Sequence, residues 1–168
     1  MKNILSILLV SIILMGCSDN VKEEVLDRYD NGQKKLVVKY KGEGSNEVIV
    51  SRITYRANGD IIISENPSDK TKMVREYYDN ENGLLMSEGN YKDDEKDGLQ
   101  RQWFENGQLE WERNFKDGKW NGLQRGWYRS GQLEWEGNYK DGNGLQKKWY
   151  ENGQLEAEEN NKDGKWNG

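Results

Sequence analysis

The stretch WFENGQLEWERNFKDGKWNGLQ, residues 103–124, returns almost unchanged as WYRSGQLEWEGNYKDGNGLQ at 127–146 and as WYENGQLEAEENNKDGKWNG at 149–168. A self-similarity of this length is the sequence signature of a repeat architecture, in which each unit buries its apolar surface against its neighbours. The chain is therefore predicted to be a stack of near-identical units and not a domain built around one core.

Outside this stretch, the same unit is recognisable from a glycine that follows asparagine or serine roughly every 24 residues. These glycines are Gly32, Gly59, Gly83, Gly107, Gly131 and Gly153. On either side of each glycine, apolar and polar residues alternate with period two, which is typical of β-strands. An Asn-Gly pair between two such strands predicts a β-hairpin, and we expect Gly83, Gly107, Gly131 and Gly153 to close the turns.

The apolar pattern also predicts the register of each hairpin. A two-residue Asn106-Gly107 loop would pair Phe104 with Leu109 and mix tryptophan with glutamate on one face. A three-residue loop from Glu105 to Gly107 pairs Phe104 with Gln108 instead. We favour the three-residue loop, with Gly107 in the left-handed conformation, because a shift of one residue exchanges the faces of a strand.

With that register, a column of tryptophan and leucine is expected to share one face and to hold the hairpins together. Its members are Trp103, Leu109, Trp111, Trp127, Leu133, Trp135, Trp149 and Leu155. Gln100 and Gln102 are expected on the other face with Glu110 and Glu112, as part of a solvated acidic surface. The register also sets Lys148 opposite Glu156.

The second connection of each unit varies in length. It reads KDGKWNG at 116–122 and is two residues shorter at 140–144. Because length changes are usually found in loops, we expect this difference, and Trp120 with it, to lie in the connecting loop.

The fold class that follows is all-β. The tandem β-hairpin repeats are expected to form an elongated, twisted, single-layer antiparallel sheet after an N-terminal signal helix. We expect a signal peptide at 1–16, a lipidated polar tether at 17–27, degenerate hairpins at 28–75 and regular repeats at 76–168.

The N-terminus carries the expected leader. Lys2 precedes an apolar run from Ile4 to Met15, which is too short to span a bilayer, since roughly 20 apolar residues are needed. The run ends in Leu14-Met15-Gly16-Cys17, which resembles the lipobox of bacterial lipoproteins, where the cysteine is acylated and becomes the new N-terminus. A plain secretory signal or an anchor helix with an incidental cysteine is the alternative. The resemblance implies a membrane-anchored protein of the bacterial cell envelope, at the outer membrane if the source has one.

Composition argues against several classes of function. Lys and Arg total 25 against 30 Asp and Glu, a formal net charge of −5, so binding driven by nucleic-acid phosphates is not expected. The chain has one cysteine and no histidine, which removes disulfides, the commonest general base and the commonest metal ligand. We expect no cofactor, no metal and no catalytic residue.

Carboxylates remain as candidates for chemistry. Pairs recur at Glu110/Glu112, Glu134/Glu136 and Glu156/Glu158, and two carboxylates on one face could hydrolyse a glycoside. A catalytic pair is not expected to recur in every repeat, so we interpret these residues as surface charges. The Asp-Gly loops at Asp117, Asp141 and Asp163 offer too few oxygens for calcium.

The repeat WYENGQLE, followed by GNYKDG, resembles the variant MORN (membrane occupation and recognition nexus) repeat, and in particular a bacterial family described as antitoxins of toxin–antitoxin systems. The resemblance is strong over 77–168 and partial over 29–67. It implies tandem β-hairpins and a role in binding, and it carries over no catalytic residue.

The candidate binding face is a row close to the turns. Each tryptophan of the column that precedes a turn is followed by a ring pointing to the opposite face, and a glutamine follows each turn glycine. This row comprises Phe104, Tyr128, Tyr150, Gln108, Gln132 and Gln154. We expect a non-enzymatic, lipid-anchored protein that binds a protein partner and no small-molecule substrate. An antitoxin or immunity protein, and a module for phospholipid or envelope glycan, are the alternatives.

Overall fold

The computed structural model describes residues 21–162 and 165–167, and the side chains up to residue 160. The leader at 1–16 and Cys17, to which the signal-helix and lipidation predictions refer, lie outside the described residues. The chain divides into two compact units, with the boundary between Lys70 and Thr71. No helix among the described residues is both long enough and apolar enough to cross a bilayer.

The first unit is a four-stranded antiparallel meander. Its strands are β1 (Val21–Arg28), β2 (Lys34–Lys41), β3 (Val48–Tyr55) and β4 (Ile61–Asn66), with one 3-10 turn at Gly44–Asn46. Each strand pairs with the next, and Val37 and Val38 of β2 are buried between β1 and β3. Residues 21–27, which the sequence suggested as part of the tether, belong to β1. Their ladder pairing with β2 makes them part of the fold.

The second unit contains nine strands in sequence order, each antiparallel to the one before it. They are β5 (Thr71–Tyr77), β6 (Leu85–Lys92), β7 (Glu95–Trp103), β8 (Leu109–Lys116), β9 (Lys119–Trp127), β10 (Leu133–Lys140), β11 (Asn143–Trp149), β12 (Leu155–Lys162) and β13 (Lys165–Asn167). The prediction of tandem antiparallel hairpins is confirmed.

The turns at Gly107, Gly131 and Gly153 have the predicted three-residue loop. The amide of Phe104 donates to the carbonyl of Gln108 at 2.8 Å, and the amide of Gly107 donates to the carbonyl of Phe104 at 2.8 Å. Gly107 has φ +83°, the left-handed region that favours glycine. Asparagine suits the position before Gly107, because the side-chain oxygen of Asn106 accepts a hydrogen bond from the amide of Gln108 at 3.1 Å. The turn at Gly83 is longer, because the amide of Tyr78 bonds the carbonyl of Leu84.

A bulge after each turn changes which residues share a face. Trp103 pairs with Leu109, but Gln102 pairs with Trp111, so Glu110 is an extra residue in β8. Cross-strand partners lie on the same face, and successive residues alternate between faces. Leu109 therefore lies with Trp103 on one face, whereas Trp111 lies with Gln102 on the other.

The predicted tryptophan and leucine column is thus divided between two faces. The same bulge recurs in β10 and β12, with Glu134 and Glu156 as the extra residues. Trp111 and Trp135 lie on what we call the tryptophan face. The remaining members, on the opposite face, are Trp103, Leu109, Trp127, Leu133, Trp149 and Leu155. The expectation that Gln100 and Gln102 share a face with Glu112 was wrong for the same reason.

The second connections are two-residue turns of constant length. Asp117 and Gly118 have φ +46° and +72°, and Asp141 and Gly142 have +52° and +84°, the paired positive values of a type I′ hairpin turn. Trp120 lies in β9 and not in a loop. The two extra residues form a bulge in β9. Arg113 pairs with Gln124 and Phe115 pairs with Trp120, so the segment between the paired residues is two residues longer in β9 than in β8. In β11, which is two residues shorter, the pairing with β10 is regular.

Next to these turns, Asp97 is held by two donors. Lys116 Nζ lies 2.6 Å from its carboxylate, and the amide of Asp117 lies 3.3 Å away. The lysine, followed by the amide, lowers the pKa of Asp97 below its usual value of 3.8. Because the folded-state pKa lies below the unfolded one, this stabilisation is present above the unfolded pKa and is lost as the pH falls through the folded pKa.

We therefore expect Asp97→Asn to lower the melting temperature at pH 7 and to have less effect at pH 3, because the ion pair of the wild type weakens as the pH falls towards the lowered pKa of Asp97. Thermal unfolding followed by circular dichroism at both values checks this. Asp79→Asn is the control, because Asp79 is exposed and forms no ion pair among the described residues. Equal pH sensitivity in the Asp97→Asn variant and the wild type would contradict the assignment.

Candidate binding surfaces

The predicted row of rings and glutamines lies along the edge of the second unit where the Asn-Gly and Ser-Gly turns are. Gln108, Gln132 and Gln154 are exposed, and Tyr150 is 49% exposed. Phe104 and Tyr128 are half-buried. Because two strands separate successive turns, the same chemical groups recur about every 10 Å along this edge. We call the three glutamines and three rings the turn row.

Tyrosines in this edge tie one turn to the next. The hydroxyl of Tyr128 donates to the carbonyl of Trp149 at 2.9 Å, and that of Tyr78 donates to the carbonyl of Trp103 at 2.6 Å. In the first unit, Tyr29 donates to the carbonyl of Tyr55 at 2.8 Å. Burial raises the pKa of Tyr78 and of Tyr128. Tyr128 therefore supports the stack, and its hydroxyl is already engaged there.

Phe104 has no hydroxyl and contacts the next turn differently. The guanidinium of Arg129 lies 5.5 Å from the centre of its ring, a cation–π distance. Asn106 also donates to the carbonyl of Arg129 at 3.3 Å. The most accessible groups of the turn row are therefore the three glutamines and Tyr150.

The glutamates predicted to form a solvated acidic surface are arranged in a charge ladder. One position of every strand from β5 to β12 carries a charge, and its sign alternates from strand to strand. In pairing order these residues are Arg75, Glu88, Arg101, Glu112, Arg125, Glu136, Lys147 and Glu158. The acidic-surface expectation was wrong for this row, since every glutamate lies across from a cation.

The ladder contains close ion pairs. Arg75 Nε lies 2.8 Å from Glu88, Arg101 Nε 3.5 Å from Glu112, and Arg125 Nε 2.7 Å from Glu136. Each cross-strand pair of this kind stabilises by about 0.2–1 kcal/mol. The bulge residues Glu110, Glu134 and Glu156 are offset from this row. Lys148 does meet Glu156, at 3.2 Å, although its pairing partner is Ala157.

The most buried polar side chains among the described residues are three glutamines, one of which, Gln100, was expected on the acidic surface. Gln100, Gln124 and Gln146 are exposed by only 3%, 0% and 7%. Gln124 Oε1 accepts from the amide of Asn114 at 3.1 Å, and its Nε2 donates to the carbonyl of Asn114 at 2.7 Å. Because of the bulge in β9, Asn114 has no backbone partner in that strand. The side-chain amide of Gln124 bonds its amide and carbonyl instead.

A side-chain glutamine amide bonds the backbone in the same way one hairpin earlier, whereas one hairpin later the glutamine has a different partner. Gln100 donates to the carbonyl of Asn90, and Asn90 Nδ2 donates to the carbonyl of Leu99 at 2.8 Å. In β11, which has no bulge, Gln146 Oε1 instead accepts from the hydroxyl of Tyr139 at 2.7 Å. The recurrence of Asn and Gln at the same place in each repeat was the signal that could have identified these pairs.

The tryptophan face also contains a cluster around Arg113. Its guanidinium carbon lies 4.6 Å from the ring centre of Trp111, 5.4 Å from that of Trp135 and 5.7 Å from that of Trp120. Trp120 packs edge-on against Tyr139 at 5.0 Å, and Trp135 covers Gly126, where any side chain would collide with its indole. We call Arg113 and these three tryptophans the arginine cluster.

Metal binding and catalysis were also considered. Within the part of the chain that the structure describes, no three His, Cys, Asp or Glu side chains are grouped closely enough to hold a metal ion. The bulge separates Glu110 from Glu112: Glu110 accepts from Gln102 Nε2 at 2.8 Å, whereas Glu112 pairs with Arg101. The carboxylates of the suggested pair thus belong to different networks.

The glutamine bridge generates a stability prediction. We expect Gln124→Leu to destabilise the protein by about 2 kcal/mol or more, because the buried amide and carbonyl of Asn114 lose their partners. The free energy of unfolding from urea denaturation measures this. Gln132→Leu, an exposed glutamine of the turn row, should change it by less than about 0.5 kcal/mol. A similar cost for the two variants would argue against the bridge.

Comparison with known proteins gives a match to the repeated segment. The family model of the MORN repeat variant matches residues 96–117, 120–141 and 143–163. Each matched segment begins in the strand before a turn and ends at or beside the following Asp-Gly pair, so it corresponds to one hairpin: β7–β8, β9–β10 or β11–β12. No curated protein matches the chain. Three of its hairpins therefore match the MORN repeat variant.

Proposed function

We propose that this protein is a non-enzymatic, lipid-anchored repeat protein that mediates a protein–protein interaction at the bacterial envelope. The observation that carries the proposal is the turn row. Gln108, Gln132 and Gln154 are exposed at equivalent positions of three successive hairpins. A rigid edge that repeats one set of groups at a fixed interval is suited to an extended protein surface.

The chemistry of the row supports a protein partner. A glutamine amide offers both donors and an acceptor, and tyrosine adds a large ring with few rotatable bonds, a combination common in protein interfaces. Tyr150 presents this ring where it is 49% exposed. The net charge of −5 does not favour a polyanionic partner.

The anchor is proposed from the sequence at the N-terminus. Acylation of Cys17, in Leu14-Met15-Gly16-Cys17, would place the repeats at a membrane surface. Ser18, directly after Cys17, resembles the signal that permits export to an outer membrane. The same anchor favours an envelope role over a cytoplasmic antitoxin. A toxin recovered as the partner would change the assignment to an immunity protein.

We expect the full-length protein to incorporate labelled palmitate when it is expressed in a bacterial host, with the label lost in Cys17→Ser. Gel fluorography after membrane fractionation measures both the label and the compartment. Export of an unlabelled wild-type protein would indicate a plain secretory signal and would exclude the anchor.

We further expect cross-linked pull-downs from solubilised envelopes to recover a specific protein, and recovery to fall at least about tenfold when Gln132→Glu and Gln154→Glu are combined, since two interface contacts would be disturbed. The matched control combines Lys119→Gln with Lys140→Gln. It lowers the net charge equally, at exposed positions beside the opposite turns. Equal losses in both double variants, or no loss in either, would count against the turn row as the binding surface.

A further inference from the structure

Arg113 occupies a position where the neighbouring hairpins have no side chain. The equivalent residues of β6 and β10 are Gly89 and Gly137. A Cβ at Gly89 would collide with the side chain of Gln100, and one at Gly137 would collide with the ring of Tyr139. The tryptophan face therefore has no room for a side chain at Gly89 or Gly137, whereas it accommodates the long side chain of Arg113 between them.

This arginine differs from the arginines of the charge ladder. Arg75 and Arg125 each lie within 3 Å of a glutamate oxygen, at 2.8 Å and 2.7 Å. Arg113 forms no ion pair and no hydrogen bond with any residue that the structure describes. Its Nε is buried without a hydrogen-bond partner.

Aromatic rings surround Arg113, and the nearest carboxylate that affects it, that of Glu110, does not form an ion pair with it. Burial, the largest cause, lowers the pKa of Arg113, and the charge of Glu110 opposes that shift. The carboxylate of Glu110 is itself bonded to Gln102 at 2.8 Å. The three indoles hold the guanidinium in place electrostatically, yet ring faces cannot accept its in-plane N–H groups well. A half-buried cation of this kind, with a buried Nε, is stabilised when an anion with oxygen acceptors binds it.

The same geometry limits what the anion can be. The guanidinium lies over Trp111 at 4.6 Å, and Tyr139 packs against Trp120 at 5.0 Å, so these rings already have neighbours. A sugar ring needs an open aromatic face for stacking, whereas a carboxylate at the end of a short apolar side chain needs only the guanidinium and an apolar wall. One cation beside Glu110 also fits one carboxylate better than a polyanion.

We propose that the arginine cluster binds the carboxylate of a single glutamate or aspartate side chain of the protein partner. The inference rests on the proposed function, because it assigns part of the partner's chemistry. The carboxylate would accept from the free N–H groups of Arg113, and the indoles of Trp111 and Trp135 would flank its methylene groups.

The test uses full-length protein in detergent micelles and two labelled peptides, one with a single glutamate flanked by serines and one with glutamine in its place. Fluorescence anisotropy should show saturable binding of the glutamate peptide at low salt. We expect the glutamine peptide to bind at least about tenfold more weakly, because it cannot form a charge-assisted bond. Arg113→Gln should reduce binding of the glutamate peptide by a similar factor.

Arg125→Gln is the matched control, because it removes the same charge from the opposite face and should leave peptide binding unchanged. Equal binding of the two peptides to the wild type would overturn the proposal without requiring any variant. Equal losses in Arg113→Gln and Arg125→Gln, or tighter binding of a uronic-acid oligosaccharide or of phosphatidylglycerol vesicles, would also overturn it. If Arg113→Gln fails to fold, Arg113→Lys, which keeps the charge but not the planar fork, should still weaken binding.

The outcome is separable from that of the proposed function. Peptide binding is measured on purified protein and needs neither the anchor nor an identified partner. A partner recovered through the turn row, together with no preference for the glutamate peptide, would reject the arginine cluster alone. A clear preference with no recovered partner would reject only the proposed function.

Discussion

The position of one extra residue after each turn determines the rest of the second unit. Because Glu110, Glu134 and Glu156 each interrupt the ladder, the residues that follow them are moved to the other face of the sheet. Trp111 and Trp135 then lie on a face where glycine and glutamine leave room for large rings. Without the bulge, they would lie with Trp103 and Leu109, and the opposite face would contain little apolar surface. The bulge thus gives a single-layer sheet packed side chains on both faces.

Much of the local structure could be predicted from the sequence, because it depends on local chemistry. Asn106 and Gly107 specify the three-residue loop, since one accepts a backbone hydrogen bond and the other adopts a positive φ. The strand positions follow from period two. Which face of the sheet each residue after a turn lies on could not be predicted in the same way, because the polar and apolar residues from Gln108 to Phe115 alternate without a visible break. A bulge adds no residue type of its own, so the alternation of residues does not reveal it.

The candidate surfaces show the same limit. The turn row could be placed from spacing alone, because it follows the turns directly. The burial of Gln124 could not, since polarity predicts exposure and the reason for burial is a missing ladder partner at Asn114. The difference in length between the repeats also led to a wrong prediction for Trp120. Two additional residues were expected in a loop, yet the Asp-Gly turn fixes the loop and the sheet takes them up as a second bulge. Gln124 then satisfies the backbone groups that this second bulge leaves unpaired.

The two bulges together explain why Arg113 has no ion-pair partner among the described residues. In the charge ladder each cation is opposite a glutamate, because that row runs from strand to strand without passing through an extra residue. Arg113 lies one residue from Glu112, on the face where its cross-strand neighbours are Gln100 and Gln124. Gln124 Oε1 already accepts from a backbone amide and Gln100 Nε2 donates to a backbone carbonyl, and neither glutamine bonds the guanidinium. The packing that satisfies the backbone therefore leaves this cation among indoles, and an acceptor for it has to come from outside the described residues.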